Sequence, residues 1–328
     1  MNTKFGFVRV GEPKGHSSVG IVVQDRCLRF SDVATLSRWS NMENVIESWD
    51  QVVAAAMPVA NQLADGSFDD RAIAVSEARL LAPIDPPQIF CTGANYRTHV
   101  AEIIVDRFSE EELAAGASRE ALFEKALAMM DERARTGMPY IFTRILSTCA
   151  GPFDDLRLPT YTRQPDWEAE LAVVFKSGGL DITRADAMNH VAGYMVVNDV
   201  TNRDLIFTAD PKSLGSDWLH AKNNPGYFPM GPMIVPKEFV QDPHNLAITL
   251  KLNGKVMQDA RTSDMIFDIP RQIEVLSTYA RIMPGDVLAT GSPAGNGTHY
   301  DRYLQPGDVM EVSVEGLGGQ RTRCVAAA

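Results

Sequence analysis

At 328 residues with 45% apolar content, the chain can build one large hydrophobic core, with room for a main domain and a smaller companion. Its 22% charged residues and ordinary Gly and Pro usage exclude disorder over most of the length, and 31 basic against 42 acidic residues without a basic cluster exclude nucleic acid as a partner. Four scattered cysteines without a CxxC pair exclude a zinc ribbon or disulfide framework, and no apolar run is long enough to span a bilayer, so a soluble, cytoplasmic protein is expected, with no membrane partner.

In chain order, FGFVRV and VGIVVQDRCLRF (residues 5–10 and 19–30) predict strands around a Gly/Pro/Ser turn. Apolar residues from Met42 to Leu63 recur at helical spacing. The proline-rich LLAPIDPP, residues 80–87, marks a boundary. Residues 1–80 therefore read as a small N-terminal α+β domain, and 81–328 as the domain that carries the chemistry.

After the strand-and-turn IFCTGANY, residues 109–136 are rich in Ala, Glu and Arg and predict helices. Such a segment is either a surface helical pair or a lid, and the lid reading places it at about 105–138. From residue 168 onward short strands dominate (ELAVVF, GYMVVND, AITLKLNG, KVMQDA), with an Asn-Gly hairpin turn and one helix, IPRQIEVLSTYARI. Two PGDV turns each launch a strand. This spacing predicts an α+β, mainly β, folded-over sheet rather than a doubly wound one.

Candidate chemistry begins at QPDWEAELAVVF. Glu168 and Glu170, two apart on a strand, project to one face. Two ionised carboxylates at that separation repel unless a cation lies between them, and hard divalent ions suit such an oxygen site. By itself the pair fits a solvated strand face better. Asp199, closing the strand GYMVVND, adds a third carboxylate, although NDVTNRD also reads as a self-capping turn. Three carboxylates without a histidine cluster favour Mg²⁺ or Mn²⁺ over Zn²⁺.

In ANYRTHVAE, His99 and Glu102 share a face if helical, which could polarise the imidazole for proton abstraction or amount to a surface pair. Lys222 lies in the irregular HAKNNPGYFPMGPMIV, where a lysine is ordinarily solvated but near a metal could neutralise an enolate. The Gly-rich ATGSPAGNG, residues 289–297, could offer backbone N–H groups to an anion. It lacks the GK[ST] of a phosphate loop, and the chain has no GxSxG elbow or HExxH motif.

Taken in order, TGANYRTHVAE, DWEAELAVVF, GYMVVNDVTNRDL, AKNNPGYFPMGPMIV, LNGKVMQDARTSDMIF and MPGDVLATGSPAGNG resemble the fumarylacetoacetate hydrolase family, over roughly residues 86–315. That family includes acylpyruvate hydrolases, oxaloacetate decarboxylases and catechol-pathway isomerases and decarboxylases. The resemblance implies a mixed, rolled β-sheet catalytic domain, a homodimer, and Mg²⁺ or Mn²⁺ held by Glu168, Glu170 and Asp199; Ca²⁺ could replace either in a crystal. It also implies His99 with Glu102 as a catalytic dyad on the closing segment, Lys222 as the active-site lysine, and Tyr96, Arg97, Thr290, Gly291 and Ser292 as substrate contacts.

The chain departs from the pattern at Ile206, where the family commonly has Gln, in the Asn-Asn-Pro-Gly that follows Lys222, and in FTADPKSLGSDWLH. Thr92 replaces an extra aspartate of the eponymous hydrolases, which places the chain nearer the three-carboxylate branch. The implied reaction is metal-dependent hydrolysis of a C–C bond in a 2,4-dioxo acid, in a setting such as aromatic catabolism. Decarboxylation of a 2-oxo acid and isomerisation of a 2-hydroxy-dienoate on the same site are alternatives, as is a non-catalytic protein that binds metal and oxo acid.

Overall fold

The computed structural model describes residues 3–207 and 215–327. Near the N-terminus, strands Gly6–Gly11, Ser17–Val23, Arg26–Arg29 and Ile73–Ala74 form an antiparallel sheet. The single strand expected over 19–30 is a hairpin instead, because Gln24 adopts a left-handed φ of 55° and reverses the chain. The helix expected from Met42 is likewise two helices, Met42–Glu47 and Trp49–Ala64, meeting at Ser48. Asn41 caps the first by accepting from Asn44 N.

The helices bury Val45, Trp49, Val52, Ala56 and Leu63. Phe7 meets the rings of Phe30 and Trp49 edge-on at 5.7 and 5.4 Å. The main chain of Phe7 also exchanges two 2.9 Å hydrogen bonds with Ile234. One apolar cluster consequently runs from Phe7, Leu28 and Trp49 to Met195 and Ala289.

Those last residues belong to a six-stranded sheet in the order Val235–Pro236, Val191–Asn198, Ala169–Phe175, Val287–Ala289, Ile89–Gly93, Tyr140–Arg144. It is mixed: Val287–Ala289 runs parallel to Ile89–Gly93 and antiparallel to Ala169–Phe175. A five-stranded sheet, Lys255–Arg261, Ala247–Leu252, Val309–Val314, Gly318–Ala326, Leu156–Leu158, contributes to a second apolar cluster. The strand Ala169–Phe175 lies between the two: Ala172 and Val174 face the first cluster, and Leu171, Val173 and Phe175 the second. Burial on both faces explains why its sequence is a continuous apolar run rather than an alternating one. Asn253 and Gly254, both at positive φ (52° and 80°), make the expected hairpin turn. The result is the mixed, rolled β-sheet fold with accompanying helices that the sequence predicts.

The Ala/Glu/Arg-rich region is helical and begins earlier than expected, as Arg97–Phe108, Glu110–Ala114 and Arg119–Thr136. Ala101 and Val105 pack on Leu122 and Ala126, and Val100 and Met130 on Ile266 and Phe267. Among the described residues, no helix is long and apolar enough to cross a membrane.

Replacing Phe7 by Ala should cost about 3–5 kcal/mol, the usual range for emptying a large aromatic site in a core. Urea unfolding monitored by tryptophan fluorescence measures this directly. A loss below about 1 kcal/mol would contradict the packing described here.

Candidate functional site

The Ala169–Phe175 strand delivers Glu170, Glu168 immediately precedes it, and Asp199 follows the neighbouring antiparallel strand Val191–Asn198. The main-chain N–H of Asp199 donates to the Glu168 carbonyl at 2.9 Å, and Asn198 Oδ1 accepts from Glu168 N at 2.9 Å. These bonds fix the strand ends side by side, and the three carboxylates are buried with one oxygen of each within 4.8 Å of the others.

Three cations from separate segments answer this charge. Lys222 Nζ donates to Glu168 Oε2 at 2.6 Å and also to Asp199 Oδ2. Arg203 reaches Glu168 Oε1 at 2.5 Å and Asp166 Oδ2 at 2.8 Å. Arg144, wholly buried, donates to Asp199 Oδ1, to the Lys222 carbonyl and to the Val200 carbonyl.

Burial opposes the Glu168 charge, but Arg203 and Lys222 together hold its carboxyl well below the usual range. Burial likewise opposes the Lys222 charge, and the Asp199 and Glu168 carboxylates more than compensate, raising its pKa. Glu170 is different. Burial, then repulsion from Asp199 and Glu168, pushes its carboxyl well above the ordinary value. Among the described residues it accepts from the main-chain N–H of Gly291, at 2.8 Å. A compact all-oxygen donor set with one carboxylate short of a counter-charge fits a hard divalent cation.

Lys222 departs from the solvated-loop expectation. It ends a short helix, Trp218–Lys222, whose N-terminus is capped by Asp217 accepting from His220 N at 3.0 Å, and it is buried. The Gly-rich loop does present N–H groups to anions, and these anions are the protein's own carboxylates. Gly291 N serves Glu170, while Gly297 N and Thr298 N serve Asp166 at 2.5 and 3.3 Å. Gly291 must be glycine here: its φ is +106°, and a Cβ would lie 2.8 Å from Asn95 Cβ.

His99 and Lys222 line the same cavity of about 460 Å³ as the three carboxylates. Burial first, and Arg203 second, lower the His99 pKa to about 4, so the imidazole is uncharged at neutral pH. Its Nε2 lies 3.3 Å from Asn296 Nδ2. An amide nitrogen can only donate, so Nε2 accepts and Nδ1 carries the ring proton. Glu102 shares the helix with His99, yet its carboxylate is directed to His299 Nδ1 at 3.5 Å. No hydrogen bond joins it to His99 among the described residues, and it is not part of the cavity wall.

Of the expected substrate contacts, Ser292 lines the cavity and accepts from Gln258 Nε2 at 2.9 Å. Tyr96 is fully buried off the cavity wall. Arg97 extends instead to Asp131, at 2.6 Å, because the following helices place that carboxylate within reach. Thr290 spends its N–H and hydroxyl on the Leu171 carbonyl, and Gly291 acts through Glu170. Sequence reasoning did not single out Asp166, Arg144, Arg203 and Asn296. The alternation Asp166, Glu168, Glu170 was a signal for the first, and a lone arginine inside the strand YIFTR a signal for the second.

Fold and site together define a β-rich enzyme scaffold built around a buried acidic triad. The chain belongs to the fumarylacetoacetate hydrolase family: residues 88–325 match the model for the fumarylacetoacetate (FAA) hydrolase C-terminal domain. Oxaloacetate tautomerase FAHD2A, mitochondrial, of Bos taurus is 35% identical over 246 residues, 74% of this chain and 68% of that protein. Oxaloacetate tautomerase YisK of Bacillus subtilis (strain 168) is 33% identical over 249 residues, 74% of this chain and 72% of that one. The structure of fumarylacetoacetate hydrolase from psychrophilic Exiguobacterium antarcticum aligns with a TM-score of 0.73 at 27% identity, covering 98% of this chain and 100% of that chain.

Two outcomes test the centre. Glu170→Gln should weaken Mn²⁺ binding by at least tenfold in calorimetric titration while the thermal melt stays near wild type; wild-type affinity would remove Glu170 from the site. Because burial and the neighbouring Asp199 and Glu168 carboxylates push the Glu170 carboxyl well above its ordinary value, a divalent ion bound there should displace protons, and affinity should rise with pH. Titrations in buffers of different ionisation enthalpy count those protons, and a count of zero would contradict the shift.

Proposed function

We propose that the protein is a Mg²⁺- or Mn²⁺-dependent enzyme that interconverts the keto and enol forms of a 2-oxo acid. The observation that carries this reading is His99: an uncharged imidazole on the wall of the triad's cavity, held by the Asn296 amide and not by a carboxylate. Enolisation needs a base to take a proton from C3 and deliver one to the 2-oxo oxygen, with no water consumed and no co-reactant, and His99 Nε2 can do this once it exchanges its 3.3 Å contact with Asn296 for the substrate. Hydrolysis would need Glu102 to orient His99 against water, and the Glu102 carboxylate lies 3.5 Å from His299 Nδ1 with no hydrogen bond to His99 among the described residues. The tautomerase names of relatives at 33–35% identity support the same choice.

A divalent ion held by Glu168, Glu170 and Asp199 would polarise the 2-oxo group and acidify the neighbouring C–H. Lys222, a fixed ammonium in the same cluster, would favour negative charge developing on oxygen. His99 would hold the proton between its departure from C3 and its delivery to the 2-oxo oxygen, and would carry it the opposite way in ketonisation. Burial of these groups raises the strength of each electrostatic contact above its value in water.

The second reading is C–C hydrolysis of a 2,4-dioxo acid. It is favoured by a cavity of about 460 Å³, larger than a four-carbon acid requires, and by the likeness to the Exiguobacterium hydrolase. Enol absorbance, followed with oxaloacetate and a series of acylpyruvates in Mg²⁺ or Mn²⁺, separates the two when products are weighed. Metal-dependent approach to keto–enol equilibrium with unchanged mass is the expected result. Two acid fragments from a dioxo acid would establish the hydrolase instead, and pyruvate with CO₂ a decarboxylase. His99→Asn should lower the enolisation rate about 10²–10⁴-fold while leaving Mn²⁺ affinity within a few-fold. Retained turnover would exclude His99 as the base.

A further inference from the structure

Besides its carboxylates and the polar side chains of Thr92, Ser216, Ser292, Asn296 and Thr298, the cavity has a continuous group of apolar side chains in its wall. Phe142 stacks on Trp218 with ring centroids 4.7 Å apart and planes 15° from parallel. Trp218 Nε1–H donates to the Tyr140 hydroxyl at 2.6 Å, which fixes the edge of the indole. Ile206 and Phe207 join this wall. A bridge between Phe207 and Ser216, and a 2.7 Å bond from Asp217 N to the Ile206 carbonyl, hold Ile206 beside the Trp218 helix. Ile103 extends the apolar surface from the His99 helix. The wall begins at the acidic cluster itself, since Lys222 Nζ lies 5.1 Å from the Phe142 ring centroid.

The cations of the cavity are already engaged. Among its described lining residues the permanently charged ones are Arg203 and Lys222, and both bridge carboxylates of the protein. Arg144 is fully buried behind Asp199 and does not line the space. Among the described residues, a second carboxylate brought in along Phe142 and Trp218 would shed its hydration without gaining a counter-charge, whereas an alkyl or aryl group there would gain by leaving water.

We infer that the cavity selects a 2-oxo acid with an apolar or aromatic distal arm over a dicarboxylate, with Trp218 and Ile206 as specificity-determining residues. This rests on the 2-oxo acid reading above and separates the chain from relatives named for oxaloacetate, a dicarboxylate. Ile206 is also where the family commonly carries Gln, so an amide that could bond a polar arm is replaced by a branched alkyl group. Trp218 belongs to FTADPKSLGSDWLH, one of the segments that depart from the family pattern; part of it, residues 208–214, lies outside the described residues.

The test is calorimetric titration of the Mn²⁺-loaded protein with two probes of matched length, 4-methyl-2-oxopentanoate and 2-oxoglutarate. The branched alkyl acid should bind at least tenfold more tightly. Trp218→Ala should erase most of that ratio, Trp218→Phe should keep it, and Ile206→Arg should raise affinity for 2-oxoglutarate. Equal or tighter binding of 2-oxoglutarate by the wild type would overturn the inference. So would an unchanged ratio in a Trp218→Ala protein with an intact thermal melt. A clear binding preference without turnover of any 2-oxo acid would sink the enolisation reading alone, turnover without preference would sink the selectivity alone, and no binding of either probe would overturn both.

Discussion

Three carboxylates brought within 4.8 Å of one another inside a protein repel strongly, and the architecture around them is organised to meet that cost. Each cation comes from a different part of the chain: Arg144 from a strand of the central sheet, Arg203 from the turn after Asp199, and Lys222 from the end of a short helix. None of these side chains could be buried without its acidic partner, and the acids could not stay charged without them. Arg144 also bonds the carbonyls of Val200 and Lys222, so neutralising Asp199 simultaneously ties down the segment that carries the lysine. Glu170 is the member left without a cation of its own, and that remaining imbalance makes the site receptive to a divalent ion.

A second set of contacts joins this cluster to His99. Asp166 accepts from Arg203 and from the main-chain N–H groups of Gly297 and Thr298. The same loop carries Asn296 to His99 and His299 to Glu102. Two residues three apart on the helix Arg97–Phe108 thus meet two residues three apart on the loop and the turn after it. Asn95, just before that helix, bonds the Phe267 and Thr290 carbonyls and anchors its start to the loop's beginning. Acidic cluster, Gly-rich loop and the Arg97–Phe108 helix form one connected unit, so the position of His99 depends on residues nearly two hundred positions away.

The cavity above the cluster combines two environments with different purposes. Its floor is ionic and committed to the protein's own groups, which suits binding an acid end through a metal. Its wall, made by Phe142, Trp218 and Ile206, has little to offer a charge. The two environments come from separate segments: the acidic floor from the ends of the sheet strands, and much of the apolar wall from the stretch before Lys222.

What the sequence by itself determined was whatever rests on local periodicity and fixed spacing. The alternation of Glu168 and Glu170, the apolar run ELAVVF, the Asn-Gly turn and the helical composition of 109–136 were legible because each depends on neighbours along the chain. So was the acidic triad, once Asp199 was placed at the end of its strand and the order of motifs matched a family. Tertiary structure alone decided the rest. Gln24 at positive φ splits a predicted strand, and Arg97 turns to Asp131 rather than to the cavity. Arg144, Arg203 and Asp166 become the partners of the site, Glu102 faces His299, and Lys222 is buried between two carboxylates. The physical reason is that a pairing of charges costs nothing to write into a sequence at any separation, and it acquires its energy only where folding removes the water between the partners.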